Sequence, residues 1–277
     1  EGVLNETPFL VTAPISMYAV ATVSDAFSGM HGLGAKAEAA VARTLSHIGK
    51  ETLPFGIRLD SAIPQGKGMA SSSADIAAVS YATARALGRE LTAQEIMDIA
   101  IAIEPSDGIA FAGLSHVSHT TGKLFGQYFN VPLLAVSIFD VGGTVDTIAY
   151  YRSKGNRGNH DEVYRQLLDT VDQAFRTRDL QQEALLGQAA TASARLNQVH
   201  LEKPKLEEFI TAAQRQGALG TLVAHSGTVV GVLWASDLSA VDMAQQTSEL
   251  AAEFEATYHY MQTVRLISGG VVCEIRP

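Results

Sequence analysis

The residues best suited to chemistry lie in one stretch, Pro64-Gln-Gly-Lys-Gly-Met-Ala-Ser-Ser-Ser-Ala-Asp75. A strand-like segment ends in proline, a glycine-rich turn follows, and Ser71, Ser72 and Ser73 open an alanine-rich helix. Glycines let backbone approach a bound group closely, and the free N–H groups of a helix start point outward, so the pattern can cradle an anion such as phosphate. The hydroxyls can donate to phosphate oxygens or ligate Mg²⁺, which prefers hard oxygen ligands. No Lys-Ser or Lys-Thr pair follows the glycines, so this is not a Walker loop, and Gly32 and Gly34 make no dinucleotide fingerprint because Ala37 replaces the third glycine. The same stretch also reads as a plain helix N-cap after a tight turn. Lys67 reads either as a phosphate-steering cation or as a solvated turn lysine, and Asp75 as structural, favoured by the positive helix end.

A second group is Glu104 and Asp107, on either side of Pro105 and Ser106 at the end of a well-marked helix. Thr92 and Glu95 form a capping box, Leu91 can staple to Ile96, and Ile96, Ile99, Ala100 and Ile103 share a face that Pro105 stops. The proline prevents the two carboxylates from stacking, so they are expected to diverge, one toward a metal and one toward a substrate. A carboxylate at a helix C-terminus opposes the macrodipole, which tilts the reading from a turn cap toward function. His116 and His119 lack a third ligand and read as solvated or hydrogen-bonded histidines. Trp234 is expected in the core, and Cys273, the only cysteine, as a small buried strand residue.

The elements that must carry these residues follow from periodicity. Strands are expected at Phe9–Thr12, Ile15–Val23 and Ile57–Ile63, and helices at Ala35–Ile48, along Ile76, Val79, Thr83, Ala86 and Leu87, and after Thr92. Residues 28–34 read as a flexible loop and 106–130 as irregular. Beyond them come a buried strand at Leu133–Phe139, a polar loop at 150–160, and helices near 161–177, 180–198 and 204–216. Strands at Gly220–Ala224 and Thr228–Ala235, a helix at 239–256 and a strand pair near 260–267 and 271–275 finish the chain. From residue 131 this is the βαββαβ order of a ferredoxin-like layer.

Composition bounds the function. The chain has 277 residues with 20 Lys+Arg against 29 Asp+Glu, a net charge of −9, so nucleic-acid binding, which needs clustered cations, is not expected. No apolar run approaches the roughly 20 residues of a membrane span, and the sequence opens at Glu1 with no basic n-region, so no secretory signal is expected. One cysteine supports neither a disulfide framework nor a zinc module. A soluble, cytoplasmic protein acting on small molecules is the expectation, with no prediction of oligomeric state.

Pro64-x-x-x-Gly-Met-x-Ser-Ser-Ser-Ala74 resembles the second motif of the GHMP kinases, and Ala224-His-Ser-Gly-Thr-Val-Val-Gly231 resembles a reduced third motif. Gly66-Lys-Gly-Met-Ala-Ser-Ser72, Ile103-Glu-Pro-Ser-Asp107 and Val223–Gly231 are similar to the L-threonine kinase branch, which serves cobalamin synthesis in propanediol-using bacteria. The resemblance runs over almost the whole chain. It implies a two-domain α+β fold, with a ribosomal protein S5 domain 2-like, ATP-binding half at 1–130 and a ferredoxin-like half at 131–277. It further implies ATP and Mg²⁺, with the triphosphate held by Pro64, Gly66, Lys67, Gly68, Met69, Ala70, Ser71, Ser72 and Ser73. Asp107 would be the base, Ser72 and Glu104 the metal ligands, and His225, Ser226 and Gly227 the contacts for a small hydroxy amino acid, although His225 also reads as turn packing. The family's first motif is expected just before Glu1, with Glu1-Gly2 as its tail. A homoserine kinase or other small-alcohol kinase, and a non-catalytic metabolite sensor of the same fold, are the alternatives.

Overall fold

The computed structural model describes residues 1–145, 160–177 and 179–274. The polar loop expected at 150–160 lies, but for His160, outside these residues. Two compact units form. One comprises Glu1–Thr7, Gly66–Met69 and Asn130–Ile267, and the other Pro8–Gln65, Ala70–Phe129 and Ser268–Pro277.

β1 (Gly2–Leu4) opens the chain in the first unit. The second unit then carries β2 (Thr7–Thr12), β3 (Ala19–Ser24), β4 (Met30–His31), α1 (Ala35–His47), β5 (Gly56–Ser61), α2 (Ser71–Ala86), α3 (Ala93–Ile101), β6 (Leu114–Val117) and β7 (Leu124–Tyr128). β3 pairs antiparallel with β5, and β4 pairs parallel with β5's other edge. β2, β6 and β7 run antiparallel in that order. Val41 of α1, Ile57 of β5 and Ile76 and Val79 of α2 are buried together, so the helical and strand periodicities converge on one core. The capping box forms as expected: the Thr92 hydroxyl accepts from Glu95 N–H while the Glu95 carboxylate accepts from Thr92 N–H.

The first unit adds β8 (Ala135–Asp140), α4 (Asp161–Arg176), α5 (Asp179–Asn197), α6 (Leu206–Arg215), β9 (Gly220–Val223), β10 (Val229–Trp234), α7 (Ala240–Glu253) and β11 (His259–Arg265). These strands order β11-β8-β10-β9, all antiparallel, as the ferredoxin-like reading requires. Phe139, Phe209, Trp234, Leu250, Phe254 and Tyr258 form the core between sheet and helices. Trp234 is fully buried, and its indole N–H donates to Ser137 Oγ at 2.8 Å.

Local expectations are corrected at several places, and residues 28–34, read as a loop, hold the short strand β4. Residues 106–130 contain β6 and β7, which polar and glycine residues disguised because neither strand alternates cleanly. The strand read at Ile15–Val23 starts only at Ala19. No strand forms at 271–274, and Cys273 is exposed rather than buried. Asp75 is the fifth residue of α2, past its first turn, and burial raises its carboxyl pKa, with a hydrogen bond from Ser61 opposing.

Candidate active site

The glycine-serine turn leaves β5 and enters α2 through Ala70, whose φ of 58° is left-handed. No side chain caps this helix start, so the outward N–H groups of its first turn keep their donor capacity for a ligand. Ser71 and Ser72 are partly buried and Ser73 is buried. Adjacent serines on a helix point about 100° apart, which lets each meet a different partner.

Both partners are carboxylates of the segment after α3. Ser72 Oγ donates to Glu104 Oε1, and Lys36 Nζ donates to Glu104 Oε2 at 2.6 Å. Ser73 Oγ donates to Asp107 Oδ2 at 3.2 Å and accepts from Asp107 N–H at 3.1 Å. Glu104 and Asp107 therefore do diverge, each onto its own serine. Their segment is pinned throughout. Ser106 N–H donates to His119 C=O, the Ser106 hydroxyl to Glu104 C=O, Gly108 N–H to Thr12 Oγ1, and Ser115 Oγ to Gly108 C=O. A Cβ on Gly108 would lie 2.2 Å from Ser115 Oγ, so only glycine fits beside the strand. This bracing replaces the helical continuation that Pro105 forbids. His119 is buried, and the His116 ring sits between Phe9 and Phe125, so neither histidine is simply solvated.

The earlier half of the turn makes its own cluster within the first unit. Lys67 Nζ donates to Asp140 Oδ2 at 2.6 Å and to Gly143 C=O at 2.7 Å, so it is not a solvated turn lysine. Thr228 Oγ1 donates to the other Asp140 oxygen at 2.5 Å, and Thr228 N–H donates to Lys67 C=O at 3.1 Å. Burial pushes the Asp140 carboxyl up, but hydrogen bonds from Lys67, Thr228 and the Gly142 N–H outweigh it and the net direction is down. Gly68, at φ 77°, lies against Gly227, where a Cβ would come within 2.0 Å of the Lys67 carbonyl. The His-Ser-Gly turn thus packs directly on the glycine-rich turn at Lys67 and Gly68. His225 Nε2 is hydrogen-bonded to Ser193 Oγ at 3.0 Å. Asp140, Ser193 and Lys36 were not singled out in the sequence, and Thr228 entered only as part of the Ala224–Gly231 motif. The strand end at Asp140 and the helix-start position of Lys36 were the only available signals.

Chemically, the uncapped helix start can hold phosphate oxygens. Ser72 and Glu104 offer hard oxygens of the kind Mg²⁺ takes alongside nucleotide phosphates, since that ion uses one or two carboxylates and fills the rest with phosphate and water. Among the described residues there is no cluster of three or more His, Cys, Asp or Glu able to hold a metal. Asp107, braced beside Ser73, can accept a proton.

The family described as GHMP kinases N terminal domain matches residues 34–114, from the start of α1 into β6. Over 269 residues the chain is 29% identical to the L-threonine kinase of Citrobacter freundii, covering 95% of this chain and 91% of that one. It is 32% identical over 221 residues to the L-threonine kinase of Salmonella typhimurium, covering 78% and 72%. A crystal structure of homoserine kinase from Cytophaga hutchinsonii shares the fold at a TM-score of 0.64 and 16% identity, over 95% of this chain and 85% of that chain. Its α+β architecture is the two-domain GHMP kinase fold. With that fold, and with a relative 32% identical across more than two thirds of both chains, the chain belongs to the GHMP kinase superfamily.

Proposed function

We propose that the protein phosphorylates the side-chain hydroxyl of L-threonine with ATP, giving O-phospho-L-threonine and ADP. The observation that carries this is the split of the two carboxylates onto neighbouring serines at the open start of α2. Both carboxylates accept from a serine hydroxyl and Glu104 is also ion-paired with Lys36, which suits charge neutralisation at Glu104 and proton acceptance at Asp107. Two relatives named L-threonine kinase support the acceptor.

In this reading the turn at 64–74 receives the triphosphate through backbone N–H groups and the Ser71–Ser73 hydroxyls. Ser72 and Glu104 would hold Mg²⁺, which would supply charge neutralisation on the phosphates. The threonine hydroxyl oxygen bonds to the γ-phosphorus as the bond from that phosphorus to the β,γ-bridging oxygen breaks, and ADP departs. Asp107 takes the hydroxyl proton. Positioning supplies most of the rate, as phosphoryl transfer generally demands, and the bracing of 104–108 is what fixes Asp107. The Lys67–Asp140–Thr228 cluster fixes the turn's earlier half. The reaction fits a place in cobalamin side-chain synthesis.

ADP release measured with L-threonine, L-serine and L-valine tests the reading. L-Threonine should support the fastest release and L-serine a slow but measurable one, since a missing methyl costs about 10–200-fold. L-Valine should support none. Release independent of acceptor identity, or none with any hydroxy amino acid, contradicts it.

A further inference from the structure

Lys36 is the second residue of α1, where a cation faces the positive helix end, so helix stability does not account for it. Its ammonium donates to Glu104 Oε2 at 2.6 Å, opposite the oxygen that Ser72 occupies. The Glu104 side chain is 4% exposed, whereas that of Lys36 is 47% exposed. A carboxylate so buried requires a cation, because an unpaired buried charge is strongly destabilising. Among the described residues Lys36 is the cation ion-paired with Glu104, and its half-exposed stem leaves it free to swing. A metal bound by Ser72 and Glu104 would take over that neutralising role and repel the ammonium next to it.

We propose that Lys36 is an exchangeable counter-ion. It neutralises Glu104 while no metal is held, yields the carboxylate to Mg²⁺, and passes its ammonium to the terminal phosphate oxygens of the bound nucleotide. Lysine suits both stations, being a compact point charge on a flexible stem that pairs with carboxylate or phosphate. The proposal rests on the reading of Ser72 and Glu104 as the metal-binding pair.

The test uses the whole chain without acceptor. Mn²⁺ alone stands in for Mg²⁺ and is followed by electron paramagnetic resonance of the free ion. Calorimetry compares the Mg²⁺ complexes of ADP and of a non-hydrolysable ATP analogue. Removing the competing ammonium in Lys36→Met should tighten Mn²⁺ binding about tenfold and erase about tenfold of any preference for the triphosphate over ADP. Lys36→Arg should stay near wild type in both. Lys36→Gln, more polar at the buried end, serves if the methionine variant does not fold. Unchanged or weaker Mn²⁺ binding without the cation overturns the exchange, and an intact triphosphate preference overturns the second station. If neither wild type nor variant binds Mn²⁺, the metal reading of Ser72 and Glu104 falls and the proposal with it. Threonine-dependent ADP release would survive that outcome, so the two failures are separable.

Discussion

Ser72 and Ser73 are neighbours in sequence and serve different carboxylates, one held by Lys36 and the other braced by its own backbone N–H. That difference sets the expected consequence of removing each. Asp107→Asn keeps the side chain's size and its backbone bond to Ser73 but loses the proton-accepting oxygen. Turnover should fall about 10²–10⁴-fold, the usual worth of a general base, while calorimetric binding of the nucleotide stays near wild type. A folded Asp107→Asn protein of near-normal turnover would remove Asp107 from the chemistry and direct attention to Glu104. The serines, the glycines and both carboxylates were legible in the sequence, because a turn before a helix and a proline after one are local signals. Lys36, Asp140 and Ser193 were not. Each acquires its meaning from a partner at least 32 positions away, Glu104, Lys67 and His225 respectively, and no local pattern announces such a pairing.

At the scale of elements, α3 leads into the segment that carries the candidate base and is set by its start. The Thr92 hydroxyl cap should be worth about 1 kcal/mol, so Thr92→Ala should lower the melting temperature by a few degrees, about 2–4 °C in a chain of this size. The Thr92 N–H, the His47 ring and the Thr92 hydroxyl hold the Glu95 carboxyl down to about 2, against an ordinary value of 4.5. A depressed carboxyl stabilises the fold above the unfolded value and loses that contribution as pH falls from about 4.5 toward about 2. Chemical denaturation across that window should show a shallower acid limb in Glu95→Ala than in wild type. An equally steep limb would place the acid sensitivity elsewhere. Amphipathic helices and this cap were readable because their spacing is regular. β6 and β7 were not, since Ser115, His116 and Gly126 interrupt the apolar alternation and pairing across the sheet supplies what the side chains do not. The strand expected at 271–275 rested on Val271 and Val272, but Val272 is exposed and the segment finds no strand partner among the described residues.

At the scale of the whole molecule, stability also carries a buried cation outside the candidate site. Lys203, between α5 and α6, is 1% exposed, and its ammonium donates to Leu201 C=O at 3.3 Å. Burial lowers its pKa to about 8 from 10.5. Below pH 8 both folded and unfolded states carry the proton, and the fold bears the burial cost. Between about 8 and 10.5 the folded state sheds the proton first, so stability should rise with pH. Lys203→Met should flatten that rise and add on the order of 1–3 kcal/mol near pH 7, as read by urea denaturation. A variant no more stable than wild type at pH 7 would show that the cation is better solvated than its burial implies. The order of strands in the first unit was legible from element succession, because four strands with intervening helices and one hairpin have few ways to form an antiparallel layer. The discontinuous make-up of the two units was not, since Glu1–Thr7 and Gly66–Met69 join the Asn130–Ile267 unit only through contacts distant in sequence.

The acceptor decides the function. The most direct measurement is the ratio of kcat/KM for L-threonine to that for L-homoserine, from ADP release, with the product identified by phosphorus NMR. Homoserine carries a primary hydroxyl one carbon further out, so a site that presents the threonine hydroxyl to Asp107 misplaces it. The ratio should favour threonine by at least about tenfold, with O-phospho-L-threonine as the product, the size of effect that a shift of one carbon commonly produces. A ratio favouring homoserine would contradict the account and make the protein a kinase of the longer alcohol.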